Sequence, residues 1–148
     1  MKEQTTLDGS EYIPISSDDW ETPPELFEPL NQVYKFTLDP CCTSKTAKCD
    51  SYFTLKEDGL KQTWTGRVFV NPPFSNIPLW LKKIDYEMFK HNPELVVSLL
   101  PAWTDRDWFH DLVYGKASIT FLQGRVKFLR NGRPHKSPKF GCMLVEWR

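Results

Sequence analysis

Val68-Phe69-Val70-Asn71-Pro72-Pro73-Phe74 is a short apolar run that ends on two prolines. Each proline lacks an N–H, and the first pushes Asn71 toward an extended conformation, so a strand has to stop there. Asn71 and Phe74 are then presented at the carboxyl end of that strand, the edge at which open α/β sheets bind ligands. The side-chain oxygen of Asn71 and the carbonyl of Pro72 suit an exocyclic NH2 as acceptors, and the Phe74 ring suits the face of a planar ring. Taken alone, the four residues suit a plain strand-ending turn over a buried Phe equally well.

Working outward, strands and helices alternate. Arg67–Val70 reads as a strand and 77–90 as a helix with Leu81, Ile84 and Met88 inward. The uninterrupted apolar run 95–100 carries the signature of a strand buried on both faces, ended by Pro101. Residues 105–113 read as a helix with Thr104 as cap and Asp105 and Asp107 in its first turn. Upstream, Pro23-Pro24 opens a helix to about Val33, with Leu26, Phe27, Leu30 and Val33 on one stripe and Thr22 as cap. Residues 34–38 read as a strand broken at Asp39-Pro40, and 41–62 as polar and irregular. Residues 117–122, 126–129 and 140–147 read as closing strands. Helix–strand alternation followed by a strand-rich end predicts an α/β fold with a mostly parallel sheet and an antiparallel edge. Residues 1–19 read as a flexible N-terminal arm and 20–148 as one domain.

Composition sets bounds. The chain has 148 residues, 40% of them apolar, enough for one core. No run approaches the roughly 18 apolar residues of a membrane span, and the polar, acidic N-terminus has neither signal-peptide nor transit-peptide chemistry. The cytosol is the expected compartment, and Cys41, Cys42, Cys49 and Cys142 are expected to be free thiols. Their spacing matches no common zinc site, so no metal is expected. Net charge is zero but uneven: residues 1–62 hold 6 Lys/Arg against 12 Asp/Glu, and residues 101–148 hold 9 against 4. The basic excess lies in Arg125, Lys127, Arg130 and Arg133, continuing to Lys136 and Lys139, interleaved with Phe and Leu. That pattern suits a phosphate backbone, and it equally suits a solvated strand edge blunted against aggregation.

In such a sheet Asp39 and Asn71 come to one crevice. A carboxylate there can serve the polar parts of a nucleoside cofactor, or simply make an Asx-Pro turn. The turn 39–42 has no glycine, which argues against a phosphate cradle and NAD and favours a phosphate-free ligand such as S-adenosylmethionine. His91, His110 and His135 show no metal or triad spacing and read as surface residues. The tryptophans at 64, 80, 103, 108 and 147 read mostly as core.

Trp20-Glu21-Thr22-Pro23, Phe36-Thr37-Leu38-Asp39-Pro40, Asp58-Gly59-Leu60, Trp64, Asn71-Pro72-Pro73-Phe74, Leu99-Leu100-Pro101-Ala102 and Gly124-Arg125-Val126-Lys127-Phe128 occur in that order. Over about residues 18–147 this series resembles the small phage-type DNA N6-adenine methyltransferases. The resemblance implies a single-domain Rossmann-like methyltransferase, a phage or prophage protein in a bacterial host. It implies S-adenosylmethionine as cofactor, held by Trp20, Thr22, Pro23, Asp39, Pro40 and Asp58. It also implies a flipped adenine of double-stranded DNA, held by Asn71, Pro72, Pro73 and Phe74, with Arg125, Lys127, Arg130 and Arg133 on the DNA. Trp103-Thr104-Asp105-Arg106-Asp107, after the buried strand at the same sheet edge, suits contact with DNA or that base as well as the start of the next helix. The motif differs from the family pattern in lacking glycines after Asp39, where Cys41-Cys42 stands. Other planar amino groups (cytosine N4, an RNA adenine, a protein glutamine) suit the same chemistry. So does a silent nucleic-acid-binding module that keeps the turn for structure alone.

Overall fold

The computed structural model describes residues 20–135 and 137–148. The expected arm 1–19 and Lys136 lie outside the described residues. Helix α1 (Pro24–Tyr34) leads to strands β1 (Leu38–Asp39), β2 (Ser51–Tyr52) and β3 (Arg67–Val70), then helix α2 (Ile77–Lys90) and strand β4 (Leu95–Pro101). Helix α3 (Asp107–Leu112), strand β5 (Ser118–Phe121), a small hairpin β6 (Leu129–Arg130) and β7 (Arg133–Pro134), and strand β8 (Cys142–Trp147) complete the order.

Six strands form one sheet in the order β2-β1-β3-β4-β8-β5. The first four run parallel; β8 runs antiparallel to both β4 and β5. This is the expected α/β architecture with a mostly parallel sheet and an antiparallel edge, consistent with a Rossmann-like methyltransferase fold. All seven residues of β4 are buried, as their apolar run requires. On α2, Ile77, Trp80, Leu81 and Ile84 are buried and Met88 packs against the core, which matches the predicted stripe.

Several local expectations are corrected. Thr22 does not cap α1: the capping residue is Pro23, and the Thr22 side chain is buried instead. Pro23 and Pro24 carry no N–H to offer a capping hydroxyl. Val33 is 77% exposed, so of the expected stripe Leu26, Phe27 and Leu30 face the core, joined by Tyr34. Tyr34 belongs to the helix, not to a strand. The helix ends one residue later because Lys35 turns left-handed (φ 53°) and the Asn31 side chain accepts from the Phe36 N–H at 2.9 Å. The irregular stretch 41–62 contains the edge strand β2, held by pairing with β1. Thr104 does not cap α3, which starts after Arg106. The predicted strand 126–129 is instead the approach to a hairpin.

Candidate functional site

Where β1, β3 and β4 end, four loops meet. Leu38 pairs with Val68 and Val70 with Ser98, so the turns at Asp39-Pro40, Asn71–Phe74 and Pro101–Thr104 leave one sheet edge side by side. Because β8 runs the other way, its start lies at that same edge, with Cys142 opposite Pro101.

Asn71 is half-buried, and its amide nitrogen donates to the carbonyl oxygen of Trp20 at 2.9 Å. That bond fixes which end of the amide carries the acceptor. Pro72 is buried, and Pro73 leads a 3-10 turn, Phe74–Asn76, in which the Asn76 N–H donates to the Pro73 carbonyl at 3.0 Å. Phe74 is 9% exposed and lies in an aromatic wall. Its centroid is 6.0 Å from Trp20, 5.9 Å from Phe128, 6.2 Å from Trp103 and 5.8 Å from Phe140. Trp20 in turn stacks on Phe128 at 5.0 Å with 21° between the planes. Phe74 thus belongs to a wall of five rings at this edge, in which Phe128 is fully buried and Trp20, Trp103 and Phe140 are half-buried. Trp103 was expected at this edge from its place after the buried strand, whereas Phe128 and Phe140 were not singled out from the sequence as partners of this site. The signal there is position: Trp103 follows the end of β4 by two residues and Phe140 precedes the start of β8 by two.

Asp39 is 3% exposed. Its two carboxylate oxygens accept from the backbone N–H groups of Cys41 (3.2 Å) and Lys48 (3.0 Å), which fastens the loop after β1. Burial pushes its carboxyl up to about 6 from 3.8, against the pull of those two N–H groups and the Cys42 thiol. Since the folded value lies above the unfolded one, the stability this group contributes is fully present below about pH 3.8. It is lost as pH rises through about 6. In urea unfolding, Asp39 is expected to withdraw about 2 kcal/mol between pH 4 and pH 7.5. The Asp39→Asn variant should flatten that part of the profile, and an identical slope in both proteins would contradict the assignment.

Gly59 brings a second loop against the first. A Cβ on Gly59 would stand 2.0 Å from the Pro40 carbonyl oxygen, so only glycine allows this approach. Asp58 beside it caps the 3-10 turn Gly59–Lys61, accepting from the Leu60 N–H at 3.2 Å. The loop is tied down by Trp64, whose indole N–H donates to the Gly59 carbonyl at 2.9 Å. It is also tied to α2 by Lys83, which donates to the Gln62 carbonyl at 2.6 Å and pairs with buried Glu87. His91, an exposed residue as expected, contacts the other Glu87 oxygen with one ring nitrogen.

Two buried polar atoms near Asn71's partner have no hydrogen-bond partner among the described residues: the Trp20 indole nitrogen and the Thr22 hydroxyl. The four cysteines are free thiols, three half-buried and Cys142 buried. Burial, with Asp39 next, pushes Cys49 up to about 12, and Cys42 moves the same way. Neither is a nucleophile near neutral pH.

The basic stretch reaches this edge too. Arg125 and Lys127 are exposed, while Val126 and Phe128 between them are buried. Arg130 is half-buried and Arg133 exposed, on the hairpin β6–β7. The Asn131-Gly132 pair at its tip is the sequence signal for that hairpin, overlooked when the segment is read for charge. Glu21 bridges to Leu129 through both backbone hydrogen bonds (2.7 and 3.0 Å). The segment 20–21 thus straps the Asn71 turn to the basic hairpin.

Residues 9–148 match the family described as DNA N-6-adenine-methyltransferase (Dam). A protein of Escherichia phage T1 described as DNA N-6-adenine-methyltransferase is 28% identical over 126 residues, covering 78% of this chain and 52% of the phage protein. A protein of Escherichia coli strain K12 described as "Putative methyltransferase YfdM" is 32% identical over 65 residues, covering 38% of this chain and 71% of that one. The chain spans about half the length of the phage relative.

Proposed function

The chain belongs to the DNA N-6-adenine-methyltransferase family, and on that footing we propose that it transfers a methyl group from S-adenosylmethionine to the exocyclic N6 of an adenine in DNA. The observation that supports this reading most strongly is the held amide of Asn71 at the end of β3, set in an aromatic wall beside a basic hairpin.

The residues fit a nucleoside cofactor without phosphates. The loops at Pro40 and Asp58-Gly59 are in van der Waals contact, and the orphaned Trp20 indole and Thr22 hydroxyl offer polar partners on the adjoining strap. We assign cofactor binding to Trp20, Thr22, Pro23, Pro40 and Asp58. Asp39 acts on the cofactor by shaping the loop 40–48, its own carboxylate oxygens being held by that loop. When bound, S-adenosylmethionine supplies an electrophilic methyl on a sulfonium. The chain's own work is placement. Adenine N6 is a weak nucleophile because its lone pair is delocalised into the ring. Acceptors at the Asn71 side chain and the Pro72 carbonyl favour the more tetrahedral amino group and stabilise the positive charge that develops on it. The surplus N6 proton then leaves to water. Extruding the base costs a few kcal/mol, offset by contact with the aromatic wall. Arg125, Lys127, Arg130 and Arg133 hold the duplex. The setting that goes with this activity is the cytosol of a bacterial host, which the phage relative supports.

The test is binding by each partner separately. Saturable binding of S-adenosylmethionine, and DNA binding that weakens steeply with salt, are expected. Replacing Arg125, Arg130 and Arg133 together with Ala should weaken DNA binding and flatten its salt dependence. No saturable cofactor binding would favour the silent module, and an unchanged salt slope would make the basic stretch a solvated edge only.

A further inference from the structure

The hairpin does more than add positive charge. Arg130 pairs directly with Arg133 across a two-residue turn whose residues both have positive φ, Asn131 at 52° and Gly132 at 73°. This is the turn that matches the twist of a tight two-stranded ribbon. The ribbon extends one more step, the His135 N–H donating to the Phe128 carbonyl at 3.1 Å. Side chains alternate along a strand and directly paired residues share a face. Phe128, Arg130, Arg133 and His135 therefore lie on one face. That face is turned to the Asn71 edge, because Phe128 and His135 both meet the Trp20 ring there, at 5.0 and 6.1 Å.

Glu21 fixes the ribbon in place from the other side: besides its backbone pairing with Leu129, its carboxylate accepts from the Gly132 N–H at 3.3 Å. The neighbouring Trp20 carbonyl holds Asn71. Tip and reaction centre are thus two ends of one strap.

We propose that the ribbon 128–135 enters the major groove of the duplex next to the extruded adenine, with Arg133 and Arg130 donating to guanine base edges. The proposal rests on the function proposed above and deepens it, from binding DNA to selecting the sequence that is methylated. A two-stranded ribbon fits the major groove, and the guanidinium fork matches the O6 and N7 acceptors of guanine. Arg125 and Lys127 precede the ribbon, and their exposed positions suit phosphates, which carry no sequence information.

Two readouts test this on the full chain. One is dimethyl sulfate reactivity of guanine N7 in a bound duplex; the other is the sequence profile around methylated adenines in random-sequence DNA. The intact protein should shield a guanine near the methylated position. Arg133→Ala, at an exposed turn where folding is not at stake, should abolish that shielding and relax selectivity at one base position by about 10-fold or more. Arg125→Ala should weaken binding to all sequences alike and leave the profile unchanged. An Arg133→Ala protein with unaltered shielding and profile would overturn the proposal while leaving methyl transfer intact. Arg133-dependent shielding without any methylated product would uphold the ribbon and overturn the methyl-transfer reading.

Discussion

Asn71→Ala is expected to lower the rate of methyl transfer by about 10²-fold or more, the scale of removing one preorganised polar contact to developing charge. Affinity for S-adenosylmethionine should change far less than the rate, because on the proposed reading the amide faces the amino group to be methylated and not the cofactor loops at Pro40 and Asp58. The Trp20 carbonyl loses its 2.9 Å donor in this variant. A loosened strap would therefore appear as a modest weakening of both DNA and cofactor binding, since Trp20 is assigned to the cofactor. Asn71→Asp separates the two effects: it keeps an acceptor for the amino group but removes the donor to Trp20. Single-turnover rates with saturating cofactor and DNA make the comparison. An unchanged rate in Asn71→Ala would remove Asn71 from the chemistry.

The second large effect lies away from the site. Glu87 is fully buried on α2, clasped by Lys83 four residues before it and His91 four residues after. Burial alone would raise its carboxyl, but the contacts with Lys83 and His91 outweigh burial and hold it below the usual carboxylate range. Glu87→Ala leaves a largely buried ammonium without its counter-charge and should cost about 3–5 kcal/mol in urea unfolding. The pH dependence has the opposite sign to that of Asp39. A folded value below the unfolded one gives stability that is present above the ordinary carboxylate range and lost as pH falls through the folded value. Lys83 also holds the Gln62 carbonyl, so the same variant should loosen the loop that carries Asp58 and weaken cofactor binding. A loss below about 1 kcal/mol would mean that the cluster behaves as a surface pair.

What could be read in the sequence was what short-range chemistry decides. The boundaries of β3 and α2 follow from Pro72-Pro73 and from the apolar spacing after Ile77, and β4 from an unbroken apolar run closed by Pro101. The segment Ser51-Tyr52 carries no such pattern; it is a strand because Leu38-Asp39 beside it offers an edge. Asp39 was legible as a strand-end carboxylate, but the N–H groups it binds come from Cys41 and from Lys48, nine residues on. The aromatic wall joins residues 20, 74, 103, 128 and 140, a distance in sequence that no local rule spans. Glu87 on the inner stripe of α2 was not singled out from the sequence, although Lys83 and His91 stand at four-residue spacing on either side of it.

The most direct test of the account is transfer of a labelled methyl group from S-adenosylmethionine to unmethylated duplex DNA, with the product digested to nucleosides and separated. The account predicts label in N6-methyladenine and none in cytosine. Label in N4-methylcytosine, or none in DNA while RNA or a protein amide accepts it, would contradict the assignment of adenine to the Asn71 edge.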